Sequence, residues 1–140
     1  MKILKFLFYF LSLTWGLPMT LFGFFLAVFL SAFGLKSKRH GGCWYFEIGE
    51  NWGGFEAGLV FVVNKNPSEY IKNHEFGHAI QNCFLGFLMP FFSISSAVRY
   101  WYREFKYYRK GKTPPTEYDD FKFEGQATEL GEKYISLWGN

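Results

Sequence analysis

A long apolar run occupies the first quarter of the chain. In Ile3–Leu35 the only charged residue is Lys5, and the segment Phe6–Phe33 is long enough to cross a hydrocarbon layer of about 30 Å as one helix. Residues 16–18, with the sequence Gly-Leu-Pro, interrupt this run. The pattern predicts a membrane segment and leaves three arrangements open: a kinked span, an interfacial helix followed by a span, or a re-entrant hairpin. A cleaved signal peptide fits less well, because the run is longer than the apolar core of such a peptide.

The segment that follows has the pattern of two β-strands joined by a turn. Cys43–Ile48 is rich in aromatic and β-branched residues, three glycines occur in residues 49–54, and the apolar pattern resumes in Phe55–Val63. We expect these two runs to pair as a β-hairpin. Leu59–Val63 does not alternate between apolar and polar residues, which predicts a strand that is covered on both faces.

Three helices are predicted in the C-terminal part of the chain. The first runs from Pro67 to Leu85, with Asn66 as its N-cap and Gly86 as its stop signal. The second covers residues 93–110, where basic side chains alternate with aromatic ones. This helix lies either at a lipid interface or in solvent with its aromatic face packed in the core. The third begins at residue 119 or 120 and ends at about residue 137.

Composition adds information on partners and on the cellular compartment. Aromatic residues make up 24% of the chain, and Trp and Tyr suit the boundary between lipid headgroups and hydrocarbon. The net charge of +3 does not indicate a nucleic-acid partner. Cys43 and Cys83 lack the spacing of a secreted disulfide scaffold, so they are interpreted as reduced thiols. Basic residues flank both ends of the apolar run, and the C-terminal body is expected on the cytoplasmic side because of its reduced cysteines and basic surface.

The sequence His-Glu-Phe-Gly-His at residues 74–78 lies inside the first predicted helix. His74 and His78 are four residues apart and therefore project from one face, where both imidazoles can bind one metal ion. Glu75 is then placed to take a proton from water that the metal activates, which is the chemistry of the HExxH motif. Gly77 costs about 1 kcal/mol relative to Ala in a helix interior, which suggests that another element approaches closely there.

A catalytic zinc ion needs a third protein ligand and an open fourth position. No histidine follows His78, so the third ligand is acidic or is supplied from elsewhere. In the last predicted helix Glu124, Ala127, Thr128 and Gly131 share one face, and Glu124 is the expected ligand. The other acidic candidates are Glu117, Asp119, Asp120 and Glu129.

The motif at residues 74–78, followed by Glu124 and Ala127, resembles the gluzincin pattern of HExxH and a later ExxA(D/T) segment. This pattern occurs in membrane-bound gluzincin peptidases and in minimal gluzincins. The segment Trp15–Pro18 is similar to the apolar Trp-Gly-Leu-Pro segment of a group of short bacterial membrane proteins. The motifs that carry this resemblance cover about 25 residues of the chain.

The resemblance implies a role for each matching residue. Glu75 corresponds to the general base, and Thr128 stands where many gluzincins have an aspartate that orients a ligand histidine. Gly77 and Thr128 are thus the residues expected directly beside the ligands. The implied Zn²⁺ ligands are His74, His78 and Glu124. The candidates for stabilising the oxyanion are His40, Tyr118 and Arg99.

These patterns predict an α+β protein with two parts. Residues 1–35 form a membrane anchor, as a transmembrane or re-entrant helix, and residues 36–140 form a minimal zincin-like metallopeptidase domain with a small β-hairpin packed on about three helices. The expected function is a zinc endopeptidase of the bacterial inner (cytoplasmic) membrane that cleaves peptides or membrane proteins. Two alternatives stay open: a non-catalytic membrane protein whose structural metal site serves a binding or regulatory partner, and a lipid-docking protein in which the basic aromatic helix is functional and the motif is coincidental.

Overall fold

The computed structural model, which describes residues 1–116 and 121–138, has a four-stranded mixed sheet with helices on both of its faces. The helices are α1 (Lys2–Leu13), α2 (Leu17–Ala32), α3 (Glu69–Leu85), α4 (Met89–Lys106) and α5 (Lys122–Tyr134). The strands are β1 (Lys38–His40), β2 (Cys43–Glu47), β3 (Gly54–Ala57) and β4 (Val60–Val63). Short 3-10 turns occupy Gly86–Leu88, Tyr108–Lys110 and Ile135–Trp138. The α+β class predicted from the sequence is confirmed.

The sheet has the strand order β1-β2-β4-β3, in which β4 pairs parallel to β2 and antiparallel to β3. The simple hairpin predicted between the two apolar runs is therefore wrong. Gly58 adopts a positive φ of 68°, a conformation that glycine tolerates, and this turn divides the second run into β3 and β4. Since β4 inserts beside β2, β3 is left at an edge of the sheet, next to the helix that carries the motif.

Strand β4 is buried on both faces, as its lack of alternation predicted. Phe61 and Val63 pack on the face covered by α1 and α3, within the larger hydrophobic cluster. Val60 and Val62 pack on the opposite face with Leu30 of α2. A central strand with a helix on each side needs apolar residues at every position, which explains the continuous apolar run.

Helix α3 begins at Glu69, two residues after the predicted start. Its N-cap is Ser68, whose hydroxyl accepts a hydrogen bond of 3.2 Å from the Ile71 N–H. The predicted cap, Asn66, has a φ of 53° and lies outside the helix, so that prediction is wrong. The predicted stop at Gly86 is confirmed, because this residue caps the helix with a φ of 54°. The predicted start of the last helix, at residue 119 or 120, lies outside the described residues.

Helices α3 and α5 touch through their backbones. A Cβ added at Gly77 would overlap the carbonyl oxygen of Ala127, and one added at Gly131 would overlap the carbonyl oxygen of Asn73. The close approach that was predicted from the mid-helix glycine is confirmed. Ala127 and Gly131 are buried at this contact, and the short interhelical distance places the first turn of α5 directly opposite the motif.

Helices α1 and α2 meet at an angle of 83° across residues 14–16. Phe8 of α1 belongs to the same core cluster as Phe61 and Phe76, and Leu30 of α2 packs with Val60. The first 35 residues thus share both hydrophobic clusters with the rest of the chain. The domain boundary at residue 35 stays a prediction.

Among the described residues, one helical segment, Glu69–Lys110, has the length and apolar composition required to cross a membrane. The pair formed by α1 and α2 is a second candidate only if the two bent helices count as one span. In the most apolar 18-residue window of Glu69–Lys110, only 17% of the residues are buried, unlike a core helix. The aromatic face of α4 is accordingly exposed rather than packed in the core, with its outward residues being Phe91, Ile94, Val98, Trp101 and Phe105.

The α3–α5 contact predicts the effect of Gly77→Ala. In an exposed helix this change is stabilising, since Ala is the better helix former. Here the added methyl group overlaps the Ala127 carbonyl, and overpacking of this kind costs roughly 1 to 3 kcal/mol. Thermal unfolding of the purified protein should show a lower midpoint, whereas Glu132→Ala, an exposed position on α5, should leave it unchanged. An unchanged midpoint in Gly77→Ala would show that the helices do not touch there.

Candidate metal centre

The structure brings the three predicted metal ligands together. The Nε2 atoms of His74 and His78 lie 2.8 and 3.0 Å from the same carboxylate oxygen, Oε2 of Glu124. All three side chains are buried, and their ligand atoms lie within 4.8 Å of one another. This group has the donor types and the proximity of a metal-binding site.

Two helices supply these ligands. His74 and His78 occupy consecutive turns of α3, with their ring centroids 4.7 Å apart and their planes nearly perpendicular. Glu124 is in the first turn of α5. The backbone contact at Gly77 holds the two helices so close that a short carboxylate side chain reaches both imidazoles.

Gln81 fixes the tautomer of His78. Its amide nitrogen donates to the carbonyl oxygen of Phe123 at 2.8 Å and to Oε1 of Gln126 at 3.0 Å. Its amide oxygen therefore faces Nδ1 of His78, at 2.7 Å. Because a carbonyl oxygen only accepts hydrogen bonds, Nδ1 carries a proton. Nε2, which faces Oε2 of Glu124, is then the nitrogen that would bind a metal once its own proton is displaced.

Thr128 performs the corresponding task for His74. Its hydroxyl oxygen lies 2.8 Å from Nδ1 of His74, and the same hydroxyl donates to the backbone carbonyl of Glu124 at 3.4 Å. The hydroxyl oxygen thus accepts from the Nδ1–H, so that Nε2, which faces Oε2 of Glu124, is again the nitrogen that would bind a metal. The acceptor for Nδ1 of His74 is thus a threonine hydroxyl oxygen.

Ser96 of α4 orients the third ligand. Its hydroxyl donates to Oε1 of Glu124, so that Oε2 is the oxygen that faces both histidines. Burial raises the pKa of Glu124, but the hydrogen bonds from His74 and His78 outweigh this effect and lower the pKa to about 2. The carboxylate is therefore ionised, as metal binding requires.

The three ligands share one cavity with Glu75. This cavity has a volume of about 400 Å³ and lies between β3, α3, α4 and the start of α5. Glu75 is buried, and Oε2 of its carboxylate has no hydrogen-bond partner among the described residues. A Cβ built on Gly54 would lie only 2.6 Å from Oε1 of Glu75. The absence of a side chain at Gly54 therefore lets the carboxylate lie against the edge strand.

Two of the three residues predicted as oxyanion donors do not line the cavity, and the third lies outside the described residues. His40 is hydrogen-bonded to Oδ1 of Asn73 at 2.8 Å and does not line the cavity. Arg99 also lies away from the cavity, with its guanidinium 5.0 Å from the ring of Phe121. Tyr118 lies outside the described residues. Three tyrosines that sequence reasoning did not propose do line the cavity: Tyr70, Tyr100 and Tyr108.

A further acid, Glu56, was also missed. It lies on β3, lines the cavity, and accepts a hydrogen bond from the Gly58 N–H. Burial raises the pKa of Glu56 to about 8, against the opposing effects of His78 and of the Gly58 N–H. No sequence motif indicates this residue, because its position beside the site results from the order of the strands.

The competing acidic candidates do not join the ligands. Glu129 is exposed on α5, whereas Glu124 is buried against α3. Glu117, Asp119 and Asp120 lie outside the described residues. Within residues 1–116 and 121–138, the one group of ligand side chains close enough to hold a metal ion is His74, His78 and Glu124.

The hydrogen bond from Ser96 predicts that Ser96→Ala weakens metal binding. Loss of the hydroxyl frees the Glu124 carboxylate to rotate, and the loss of such a supporting bond costs roughly ten- to a hundredfold in metal affinity. Competition against a chromogenic zinc chelator measures this effect. Ser95→Ala is the matched control, since the Ser95 hydroxyl bonds only to the carbonyl of Phe91 on the exposed side of α4. Equal affinities in the two variants would contradict the role assigned to Ser96.

Comparison of the chain with protein-family models, with curated proteins and with solved structures finds no match. The gluzincin resemblance therefore rests on residues 74–78 and on the short segment from Glu124 to Thr128. The structure adds that a buried group formed by His74, His78 and Glu124 has the arrangement of a metal site.

Proposed function

We propose that the protein is a membrane-attached zinc peptidase that hydrolyses peptide bonds at the His74, His78 and Glu124 site. The observation that carries this proposal is the shared cavity, because the three ligands and Glu75 line the same space. A metal site that opens into a cavity, beside a carboxylate that does not bind the metal, is the arrangement required for hydrolysis.

The donor set supports zinc as the metal. Two imidazole nitrogens and one carboxylate oxygen form a common ligand set of catalytic zinc, in which the fourth position is left for water or substrate. Both imidazoles have their Nδ1 protons held by acceptors, on Gln81 and Thr128. Their Nε2 atoms are thereby directed at one point before any metal binds, which lowers the cost of assembling the site.

Glu75 is assigned the role of general base. His74, His78 and Glu124 would hold a zinc ion, which when bound would lower the pKa of water to about 7. The Glu75 carboxylate, held over Gly54, would accept the proton of the attacking water and return it to the departing amine. Its exclusion from solvent keeps this proton within the site, and its unpartnered Oε2 is available to receive it.

The edge strand supports a peptide as the substrate. Strand β3 ends the sheet order, and Gly54, Phe55 and Glu56 of this strand line the cavity. An edge strand offers N–H and C=O groups to an extended peptide, which adds to the sheet as a further strand. A peptide bound in this way passes beside Glu75, because the Glu75 carboxylate lies against Gly54.

The non-catalytic alternative accounts for fewer features of this site. A structural zinc ion is closed by four protein ligands, whereas three ligand side chains come together in the described part of the chain. The adjoining cavity of about 400 Å³ has no role in a site of that kind. The catalytic proposal accounts for both features.

Glu75→Gln tests the mechanism. The amide keeps the shape of the side chain but cannot accept the proton, so we expect hydrolysis of a quenched fluorogenic peptide mixture to fall by roughly a hundredfold to ten-thousandfold. Zinc content, measured by atomic absorption, should remain at the wild-type level. Glu69→Gln, at an exposed position on the same helix, is the matched control and should retain activity. Full activity in Glu75→Gln with zinc bound would sink the mechanism.

Gly54→Ala tests the position of the base separately from its chemistry. The new methyl group displaces the Glu75 carboxylate, and a misplacement of about 1 Å costs roughly a hundredfold in rate. The zinc ligands belong to other elements, so metal affinity should not change. If both activity and affinity stayed at wild-type levels, the placement of Glu75 against the edge strand would be wrong.

A further inference from the structure

The helical chain is interrupted at two places that contact each other. One interruption, the bend of 83°, separates α1 from α2, and the other, at Gly86, separates α3 from α4. The indole Nε1 of Trp15 donates to the carbonyl oxygen of Phe84 at 3.1 Å, and its ring lies 5.1 Å from that of Phe87. Only glycine fits at position 86, because a Cβ there would overlap the Trp15 ring. These contacts fix the two interruptions against each other.

Apolar side chains are exposed on the surface around these two interruptions. Trp15, Phe84, Phe87 and Leu88 are all exposed, and we name these four residues the corner cluster. The surface continues along the outer faces of α1, α2 and α4. The exposed apolar residues of these faces include Phe6, Phe10, Phe25, Val28, Phe29, Phe91, Ile94, Val98 and Phe105. An apolar surface of this extent marks a site of contact with lipid or with another protein.

The candidate span formed by α1 and α2 does not have the geometry to cross a bilayer. Helix α1 has 12 residues and α2 has 16, which correspond to about 18 and 24 Å at 1.5 Å per residue, short of the roughly 30 Å of hydrocarbon. The bend of 83° prevents the two lengths from adding. In the other candidate, α3 buries its two histidines and Glu75 among protein side chains, and α4 buries Ser96 and Arg103.

The inner face of α2 is also committed to the protein. Gly23 lies so close to β3 that a Cβ there would overlap the carbonyl oxygen of Ala57. A Cβ added at Gly58 would likewise overlap Thr20 of α2. Strand β3 is an edge strand, and unpaired backbone groups of an edge are not tolerated in hydrocarbon. Helix α2 therefore cannot be surrounded by lipid while it remains packed on the sheet.

The two ends of the described chain meet on one side of the molecule. The Lys5 ammonium group lies 5.8 Å from the ring centroid of Trp138, and the rings of Phe8 and Trp138 are 5.2 Å apart. The start of α1 is thus held against the turn that follows α5. A chain that crossed a bilayer once between these points could not make this contact.

The charges around the apolar surface favour anionic lipid. Helices α1 and α2 contain no acidic residue, and α4 contains only Glu104. Basic side chains lie at the outer ends of α1 and α4, where headgroups would meet them: Lys2, Lys5, Lys106, Arg109, Lys110 and Lys112. Basic residues beside an apolar helical face are typical of helices that lie in the interface of anionic membranes.

We infer that the protein inserts into one leaflet of an anionic bilayer and does not cross it. The corner cluster enters the hydrocarbon, α1, α2 and α4 lie along the interface, and the metal site stays on the side from which the protein inserts. This inference rests on the membrane attachment in the proposed function but not on its zinc chemistry. The single-sided arrangement takes the place of two arrangements that the sequence left open. These are the kinked span and the interfacial helix followed by a span.

The test of topology uses single reporter cysteines. Lys2→Cys and Lys133→Cys are exposed positions near the two ends of the described chain, and the native Cys43 and Cys83 are buried and free. The full chain is expressed in bacteria, and a membrane-impermeant maleimide is added to inside-out and to right-side-out vesicles. We expect both reporters to react in the same vesicle type and to be protected in the other, with wild type giving the background. Reaction of the two reporters in opposite vesicle types would overturn the inference.

The test of the surface uses spin labels at Leu88→Cys and at Lys65→Cys, an exposed control in the loop before α3. In vesicles that contain phosphatidylglycerol, collisions of the Leu88 label with oxygen should exceed its collisions with a water-soluble nickel complex several-fold, and the Lys65 label should show the reverse. A Leu88 label exposed to water would overturn the inference. So would a label that is shielded from both reagents and coupled magnetically to a second label, because a second copy would then cover this face.

These outcomes are independent of catalysis. A protein that lacks peptidase activity but labels on one side would contradict the proposed function and leave the topology intact. An active protein with its reporters on opposite sides would support the proposed function and contradict the inferred topology.

Discussion

The contact between the backbones of α3 and α5 is the constraint on which the rest of the site depends. Glycine at positions 77 and 131 removes the side chains that would separate the helices. At this distance the carboxylate of Glu124 reaches the imidazoles of both His74 and His78. The helix-interior glycine costs about 1 kcal/mol in local propensity, and the packing of the two helices offsets that cost.

Hydrogen bonds from neighbouring side chains orient the three ligands. Gln81, Thr128 and Ser96 belong to three different helices, and each holds the atom of a ligand that does not face the metal position. Since α4 contributes Ser96 with its inner face and exposes apolar residues on its outer face, the orientation of Glu124 is connected to the surface of the molecule. The ligand geometry is therefore a property of the whole helical layer rather than of the motif alone.

The sequence predicted the features that depend on local patterns. The motif helix, its stop at Gly86 and the close approach at Gly77 follow from spacing and from the conformational preferences of glycine. The sheet order could not be predicted in this way, because the pairing of β4 beside β2 joins segments that are distant along the chain and depends on the turn at Gly58. Ser96 and Glu56 were missed for the same reason, since tertiary packing and not sequence spacing brings them to the site.

The contact of Phe8 with Trp138 has a consequence for the order of folding during synthesis. It joins residues separated by nearly the whole length of the chain, so it cannot form until the ribosome has released the final turn. Contacts of such long range carry the largest loop-closure cost and form late. Until then the ring of Phe8, which later belongs to the core, lacks the aromatic partner that closes this side of the cluster.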